Sequence, residues 1–193
     1  MTRGHGREEA RARDQVRAFI ALELHADMRT ALGRLMADVR HRFAGLRWVR
    51  PEGVHLTLRF LGDTSPSQVD RLRESLGAAA GRCPRAEVPV GGFGLFPERG
   101  SPRVLWLRLE LPEPMITLQA ACEAAAVAVG FPPETRRFSA HLTLGRWRDR
   151  APRPELPAAD LGRASLDTLL LFRSQTRPDG AVYTELARFG LGS

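Results

Sequence analysis

The stretch 55-HLTLRFLG-62 decides the architecture of this chain, because its first four letters recur in 141-HLTLGR-146. In a β-strand, residues i and i+2 share a face, so His55 and Thr57 lie on one side of a strand and the leucines on the other. Chance gives about 0.3 His-x-Thr matches in a chain with five histidines and ten threonines. Two copies with identical leucines therefore indicate one structural unit that is used twice.

The segments around the two copies follow a similar order of strands and helices. Alternating apolar residues and β-formers predict strands at 16–24, 54–61, 86–93, 103–109, 138–146, 164–173 and 181–189. Apolar residues at helical spacing predict helices at 27–43, 65–80 and 114–129, and glycine and proline predict a loop at 149–161 and a turn at 177–180. Within the strand 54–61, alternation places Phe60 with the leucines and Arg59 with His55.

The predicted fold class is α+β, because strands and helices are mixed along the chain. We expect two similar lobes of mostly antiparallel sheet with outer helices, related by a pseudo-twofold axis. The central cleft between them carries the two HxT strands. We expect residues 1–15 to form a flexible, charged tail and residues 16–193 to form a single bilobal domain.

Composition indicates a globular protein. A chain of 193 residues with 43% hydrophobic residues can form a full core. The longest apolar run is too short to span a bilayer, and the N-terminal segment lacks the apolar core of a secretory signal, so we expect no membrane association. Cys83 and Cys122 are too few for a disulfide framework and lack metal-ligand spacing. We therefore expect a reducing, cytoplasmic compartment. Nothing in the sequence suggests an obligate protein partner, so we expect a monomer.

The charge balance of the chain has two explanations. A formal net charge of +7 favours contact with polyanions such as RNA. The chain also has no lysine and no asparagine, and it is rich in arginine, alanine, glycine and proline. A GC-rich coding sequence produces the same composition, so the charge alone leaves both explanations open.

The repeated motif carries the residue types that phosphodiester chemistry needs. Two imidazoles that face each other, His55 and His141, can act as one acid and one base near neutral pH. The hydroxyls of Thr57 and Thr143 can donate to the non-bridging oxygens of a phosphate, where charge grows during in-line displacement. No carboxylate cluster and no glycine-rich phosphate loop accompanies them, which disfavours a metal-dependent phosphatase, a nucleotide-hydrolysing motor and a kinase. The sequence therefore predicts a site without metal or cofactor.

The two motifs resemble those of the 2H phosphoesterase superfamily and, more narrowly, the bacterial and archaeal RNA 2′,3′-cyclic phosphodiesterases, historically called 2′-5′ RNA ligases. The stretches that carry the resemblance are RAFIAL (17–22), WVRPEGVHLTLRFLGD (48–63), GFGLFPERGSPRVLW (92–106), FSAHLTLGR (138–146) and LFRSQTRPDGAVYTELARF (171–189). It runs in order from about residue 16 to residue 189. The implied activity is opening of a terminal 2′,3′-cyclic phosphate to a 2′-phosphate, with reverse 2′-5′ ligation as a minor reaction.

The resemblance also implies a role for each motif residue. His55 would be the general acid that protonates the leaving O3′, and His141 the general base that activates water. Thr57 and Thr143 would bind the phosphate, and Arg146 would contact the phosphate or the nucleotide. Strict alternation puts Arg146 on the face opposite His141, so its role requires the strand to end, twist or bulge there.

The sequence also allows other functions for this cleft and other roles for several aromatic and charged residues. The same cleft could act on small cyclic nucleotides or on 2′-5′ oligonucleotides, or it could belong to a non-catalytic module that binds RNA or nucleotides. Two intact histidines argue against a binding module, which would need only threonines and arginines. Trp48 and Trp147 could each stack on a base, although core packing is the commoner role, and Arg59 could bind phosphate or face solvent. The remaining histidines, His5, His25 and His41, are expected at the surface.

Overall fold

The computed structural model describes residues 15–177 and 180–192, which form one sheet with helices on its surface. The strands are β1 (Val16–Leu22), β2 (Leu46–Trp48), β3 (Leu56–Thr64), β4 (Ala86–Phe96), β5 (Val104–Leu109), β6 (His141–Trp147), β7 (Asp160–Leu166), β8 (Thr168–Arg177) and β9 (Gly180–Gly190). The helices are α1 (Ala26–Val39), α2 (Pro66–Arg82) and α3 (Glu113–Ala128). The predicted tail, apart from residue 15, and part of the predicted turn at 177–180 lie outside the described residues.

The strand order confirms the predicted α+β fold. Strands follow the order β7-β4-β5-β6-β3-β1-β8-β9, with β2 beside β6, and the neighbouring strands run antiparallel. β3 and β6 meet at the centre, where Leu56 pairs with Leu142. We call β3, β1, β8 and β9 the His55 lobe, and β6, β5, β4 and β7 the His141 lobe. The two HxT strands thus lie side by side, with three further strands beyond each of them.

After β7 the chain returns from the His141 lobe to the His55 lobe within a single residue. Residues 164–173 were predicted as one strand, but Asp167 separates β7, which pairs with β4, from β8, which pairs with β1 and β9. The sequence RASLDTLLLF gives no turn signal at that point, because the strand direction continues while the pairing partner changes. The short strand β2 was not predicted at all. It forms because Leu46 and Trp48 fall opposite Trp147 and Gly145 of β6.

The leucines of both HxT motifs fill the core beneath the sheet. Leu56, Leu142 and Leu144 are fully buried, and each such side chain contributes about 1.5–3 kcal/mol of burial. α2 begins with a capping box, in which Ser65 and Gln68 satisfy each other's backbone N–H groups, and Pro66 occupies its first turn. The Gln68 side chain also donates to the carbonyl of Val129, which ties α2 to the end of α3. Among the described helices, none combines the length and the apolar character that a membrane span requires.

Candidate active site

The two motif histidines face each other across the junction of β3 and β6. The antiparallel register that pairs Leu56 with Leu142 sets His55 opposite Thr143 and His141 opposite Thr57. Because side chains of directly opposite residues share a face, all four polar side chains of the two motifs project from one side of the sheet. The predicted juxtaposition of the four residues is therefore present in the geometry.

Each imidazole is held by the carbonyl two residues before it. Nδ1 of His55 lies 2.8 Å from the carbonyl oxygen of Gly53, and Nδ1 of His141 lies 2.7 Å from that of Ser139. A carbonyl oxygen only accepts, so each Nδ1 must carry the proton and donate it. In the neutral ring Nε2 is then unprotonated and can accept a proton from a bound molecule.

Aromatic rings from neighbouring strands wall each histidine. Phe19 of β1 stacks on His55 with ring centroids 4.7 Å apart, and Phe172 of β8 lies 6.1 Å away. In the other lobe, Trp106 of β5 and Phe96 of β4 lie 6.0 Å and 5.1 Å from His141. These strands occupy corresponding positions in the sheet order, so the aromatic walls follow the same pseudo-twofold arrangement as the histidines.

These walls lower the pKa of both imidazoles. Burial lowers the pKa of His55 to about 4, and the nearby His141 adds a further lowering. Burial also lowers the pKa of His141, assisted by the positive charge of Arg146. In each case the backbone carbonyl opposes the shift because it stabilises the protonated ring. Because the pKa of each ring lies below the ordinary value of 6.5, both rings are neutral at pH 7 without a bound anion.

The threonine hydroxyls of the motifs are available to a ligand. Thr57 and Thr143 are half-buried, and neither hydroxyl has a hydrogen-bond partner within residues 15–177 and 180–192. They lie on the face that carries the unprotonated Nε2 atoms. An anion seated between the histidines would therefore find hydroxyl donors from both strands.

A β-bulge brings Arg146 onto the histidine face. Along β5, Trp106 pairs with Thr143 and Leu105 with Gly145, so Leu144 is an extra residue in β6. Alternation reverses there: Leu144 and Gly145 are both buried, and Arg146 is exposed. The effect of Arg146 on the pKa of His141 agrees with this position. The bulge that the role of Arg146 required is present.

The glycine of HLTLGR permits the close approach of β2. A Cβ atom at Gly145 would lie 2.7 Å from the side chain of Leu46 and 2.8 Å from the carbonyl oxygen of Arg47. Any larger residue would push β2 away from β6. Gly145 therefore has a packing role that could not be predicted from the sequence.

A matching bulge in β3 corrects two predicted orientations. Ile20 pairs with Arg59 and Ala21 with Thr57, so Leu58 is the extra residue. Arg59 turns inward and is 9% exposed, whereas Phe60 turns outward and is 60% exposed, the reverse of simple alternation. Phe60 lies five residues after His55, just as Arg146 lies five residues after His141, and its ring contacts Phe19 on the histidine face.

Arg59 neither faces solvent nor lies free for phosphate. Its guanidinium pairs with Glu123 of α3, lies 3.8 Å from Glu134 and donates to the carbonyl of Pro132. It therefore links β3 to the segment that precedes His141. That role follows from tertiary contacts and could not be predicted from strand alternation.

Tyr183 is a site residue that sequence reasoning missed. Its ring meets His55 edge-on at 5.1 Å and lies against Gly53, whose carbonyl holds the imidazole. Burial raises the pKa of its phenol, while the positive charge of Arg146 acts in the opposite direction. Within the described residues that hydroxyl has no hydrogen-bond partner. Position 183 holds the single tyrosine of the sequence, which is the one signal that could have drawn attention to it.

The remaining candidates lie away from the histidine face. Trp147 is buried and donates to the carbonyl of Ala44, which makes it a core residue, and Trp48 is half-buried under Arg40. His25 pairs with Asp167 at the surface. His41 is exposed, and His5 lies outside the described residues. In the part of the chain that the structure covers, no group of three or more His, Cys, Asp or Glu side chains is placed to hold a metal ion.

Comparison with known proteins gives one consistent family. A model of the family "LigT like Phosphoesterase" matches residues 22–106. The RNA 2′,3′-cyclic phosphodiesterase of Methanothermobacter thermautotrophicus is 31% identical over 184 residues, which cover 92% of this chain and 100% of that protein. A protein of the same name from Thermus thermophilus is 34% identical over 188 residues, covering 91% of this chain and 90% of the relative.

Solved structures give the same result at the level of the fold. The crystal structure of TT0787 from Thermus thermophilus has a TM-score of 0.79 at 32% identity and covers 92% of this chain and 99% of its own. The structure of E. coli LigT complexed with 3′-AMP has a TM-score of 0.81 at 26% identity, with 93% and 99% covered. The antiparallel sheet described above is therefore shared along nearly the whole chain.

Proposed function

The chain belongs to the LigT-like phosphoesterase family, and from its two-histidine cleft we propose that it hydrolyses the terminal 2′,3′-cyclic phosphate of RNA to a 2′-phosphate. The observation that carries this proposal is the pair of neutral imidazoles with free Nε2 atoms on one face. Named relatives along almost the whole chain support the substrate class. A module that only binds RNA would gain nothing from fixing two rings in the same tautomer.

In this reaction the two histidines take opposite roles. Nε2 of His141 accepts a proton from water as the water oxygen bonds to phosphorus, and the P–O3′ bond breaks on the far side. Nε2 of His55, protonated in the complex, gives its proton to O3′, so the phosphate stays on O2′. The anionic phosphate raises the pKa of the rings beside it, which supplies the proton that His55 lacks in the free protein.

The polar groups around the rings stabilise the charge on phosphorus. Thr57 and Thr143 donate from opposite strands to the non-bridging oxygens, and Arg146 supplies a full positive charge on the His141 side. The Tyr183 hydroxyl, which is protonated at neutral pH, is a further donor toward the bound substrate. No step requires a metal ion or a cofactor.

Phe60 gives the nucleoside a place to bind. Its exposed ring occupies, beyond His55, the position that Arg146 occupies beyond His141. A base that stacks on Phe60 would seat its ribose toward His55 and its phosphate toward Arg146, which suits loss of O3′ to His55. Stacking on an aromatic ring contributes about 1–3 kcal/mol and accepts every base.

The proposed activity also implies a cellular compartment, an oligomeric state and a minor reverse reaction. The single domain over residues 16–193 would work in the cytoplasm as a monomer, with Cys83 and Cys122 reduced, as both are free and buried. Reverse joining of a cyclic phosphate end to a 5′-hydroxyl follows from microscopic reversibility, and water at its normal concentration keeps it minor. Opening of small cyclic nucleotides is the alternative that the same cleft allows.

The decisive experiment offers purified protein a panel of oligonucleotides and mononucleotides that end in 2′,3′-cyclic phosphate, with excess chelator present. We expect turnover of both classes, and products that phosphorus NMR identifies as 2′-phosphates. A 3′-phosphate product would reverse the acid and base assignments, because the leaving oxygen would then be O2′. Turnover that depends on added divalent metal would contradict the mechanism.

A further inference from the structure

A second arginine lies beside the phosphate-facing Arg146. Arg47 of β2 is the register partner of Arg146 in β6, and both side chains are exposed. The residues that flank this pair, Leu46 and Trp147, are also opposite each other and point into the core. Directly opposite residues of antiparallel strands share a face, with Cβ atoms about 4.5–5.5 Å apart. Arg47 therefore stands on the histidine face, next to Arg146.

This pair of like charges has no partner of opposite charge among the described residues. Neither guanidinium forms an ion pair or a hydrogen bond with any residue in 15–177 or 180–192. Like charges directly opposite each other destabilise a sheet, and Gly145 allows β2 to approach β6 closely enough to create this contact. Other exposed arginines, such as Arg82 and Arg148, also lack an ion pair in the described residues, but Arg47 and Arg146 are direct cross-strand partners. An uncompensated pair at a phosphate site indicates that the missing negative charge belongs to the substrate.

We propose that Arg47 binds the internucleotide phosphate adjacent to the cyclic end, and so makes this site prefer an RNA strand to a mononucleotide. The inference rests on the proposed function, because it assumes that Arg146 holds the terminal phosphate. Successive phosphates along a strand present successive negative charges, and the planar guanidinium is suited to phosphate oxygens. Such a contact positions the strand but reads no base, so the preference is for chain length and not for sequence.

The test uses three matched substrates. They are adenosine 2′,3′-cyclic phosphate, the dinucleotide ApA that ends in a 2′,3′-cyclic phosphate, and the same dinucleotide with an uncharged methylphosphonate at its internucleotide linkage. For the wild-type protein we expect kcat/KM on the charged dinucleotide to exceed that on the methylphosphonate about tenfold, the scale of one charge-assisted contact. For Arg47→Gln we expect this ratio to fall close to one. The slope of log kcat/KM against log salt on the charged dinucleotide should also decrease by roughly 0.7, the value for one phosphate contact on a single strand.

The matched control is Arg82→Gln, which removes the same charge from an exposed residue at the end of α2. It should keep the wild-type ratio. If Arg47→Gln also keeps that ratio, or if the wild type does not distinguish the two dinucleotides, the inference is wrong. Failure of the wild-type protein to open adenosine 2′,3′-cyclic phosphate and both dinucleotides would instead contradict the proposed function, and the inference with it.

Discussion

His55, directly before β3, and His141, the first residue of β6, occupy equivalent positions in the two motifs. Each donates from Nδ1 to the carbonyl two residues before it, yet their surroundings differ. The His55 ring contacts three aromatic side chains, of Phe19, Phe172 and Tyr183, and burial lowers its pKa to about 4. The His141 ring contacts two aromatic side chains and lies near the charge of Arg146.

The position five residues after each histidine has diverged furthest. A bulge in each strand turns that residue onto the histidine face, where the His55 lobe presents Phe60 and the His141 lobe presents Arg146. A duplicated frame thus gives one apolar side that suits a nucleoside and one charged side that suits a phosphate. In the proposed mechanism, the features that the two lobes share provide the acid and the base, and the features in which they differ orient the substrate.

The largest effect should come from removing either imidazole. We expect His55→Ala and His141→Ala each to reduce kcat/KM on a 2′,3′-cyclic phosphate about 10²–10⁴-fold, the scale of positioned proton transfer. His41→Ala, which changes an exposed histidine outside the cleft, is the control. A loss of only a few-fold in both cleft variants would favour the binding module.

A change of leaving group separates the two histidines. A phosphodiester that releases p-nitrophenolate needs no proton on the departing oxygen. On such a substrate His55→Ala should lose much less activity than His141→Ala, because the base is still required. The opposite order would exchange the acid and base roles.

Arg146→Gln should have the next largest effect. Removing a charge aimed at the developing negative charge on phosphorus should lower kcat about 10²-fold, with a smaller change in KM. Steady-state kinetics on adenosine 2′,3′-cyclic phosphate measures both. Arg148→Gln, two residues further along the chain and exposed, is the matched control. An equal loss in that variant would mean that general charge, and not the position of Arg146, accounts for the effect.

Phe60→Ala should cost about tenfold in kcat/KM, as expected for one stacked base. The loss should be similar for adenine, guanine, cytosine and uracil substrates, because every base has an aromatic face. Phe60→Tyr should restore most of the activity, since it keeps the ring. A loss restricted to one base would indicate recognition by hydrogen bonds elsewhere.

The smallest effect is a shift in pH dependence. The proposed mechanism needs one protonated and one neutral imidazole, and the pKa of both is lowered in the free protein, that of His55 to about 4. The profile of kcat/KM should therefore be bell-shaped, with its optimum below pH 6.5 and a tenfold fall per pH unit above its upper limb. The profile of kcat should lie at higher pH, because the bound anion favours protonation.

Tyr183→Ala tests which limb of the pH profile reports the ionisation of His55. Removing the tyrosine ring hydrates His55, which raises its pKa toward 6.5 and moves the acid limb of kcat/KM upward. The upper limb should move less, because Tyr183 makes no ring contact with His141 among the described residues. An unchanged acid limb would show that the tyrosine does not control the ionisation of His55.

The sequence predicted the parts of this structure that depend on local pattern. Alternation in HLTL placed the leucines in the core and the polar residues on one face, and the repeat predicted the central position of both strands. The bulge at Leu144 could be stated only as a condition, since it depends on the pairing of β6 with β5. The matching bulge at Leu58 was missed, and with it the exposure of Phe60.

Other features depend on contacts between distant residues. Tyr183 reaches His55 because β9 pairs with β8, and β8 with β1, which no local pattern predicts. Asp167 divides one predicted strand because its two sides find partners in different lobes. Three-residue β2 is too short for a periodic signal. In each case the missing information is the identity of the strand that lies alongside.

The division of the chain at Asp167 determines the order in which the two lobes can be completed during translation. All strands of the His141 lobe come from residues 86–166, whereas the His55 lobe joins β1 and β3 to β8 and β9, which are synthesised last. The first strand to emerge therefore keeps an unpaired edge until about 150 further residues have been added. The His55 lobe, which contains the first strand to be translated, would therefore be completed after the His141 lobe. A chaperone that covers β1 during synthesis would protect this exposed edge of the His55 lobe.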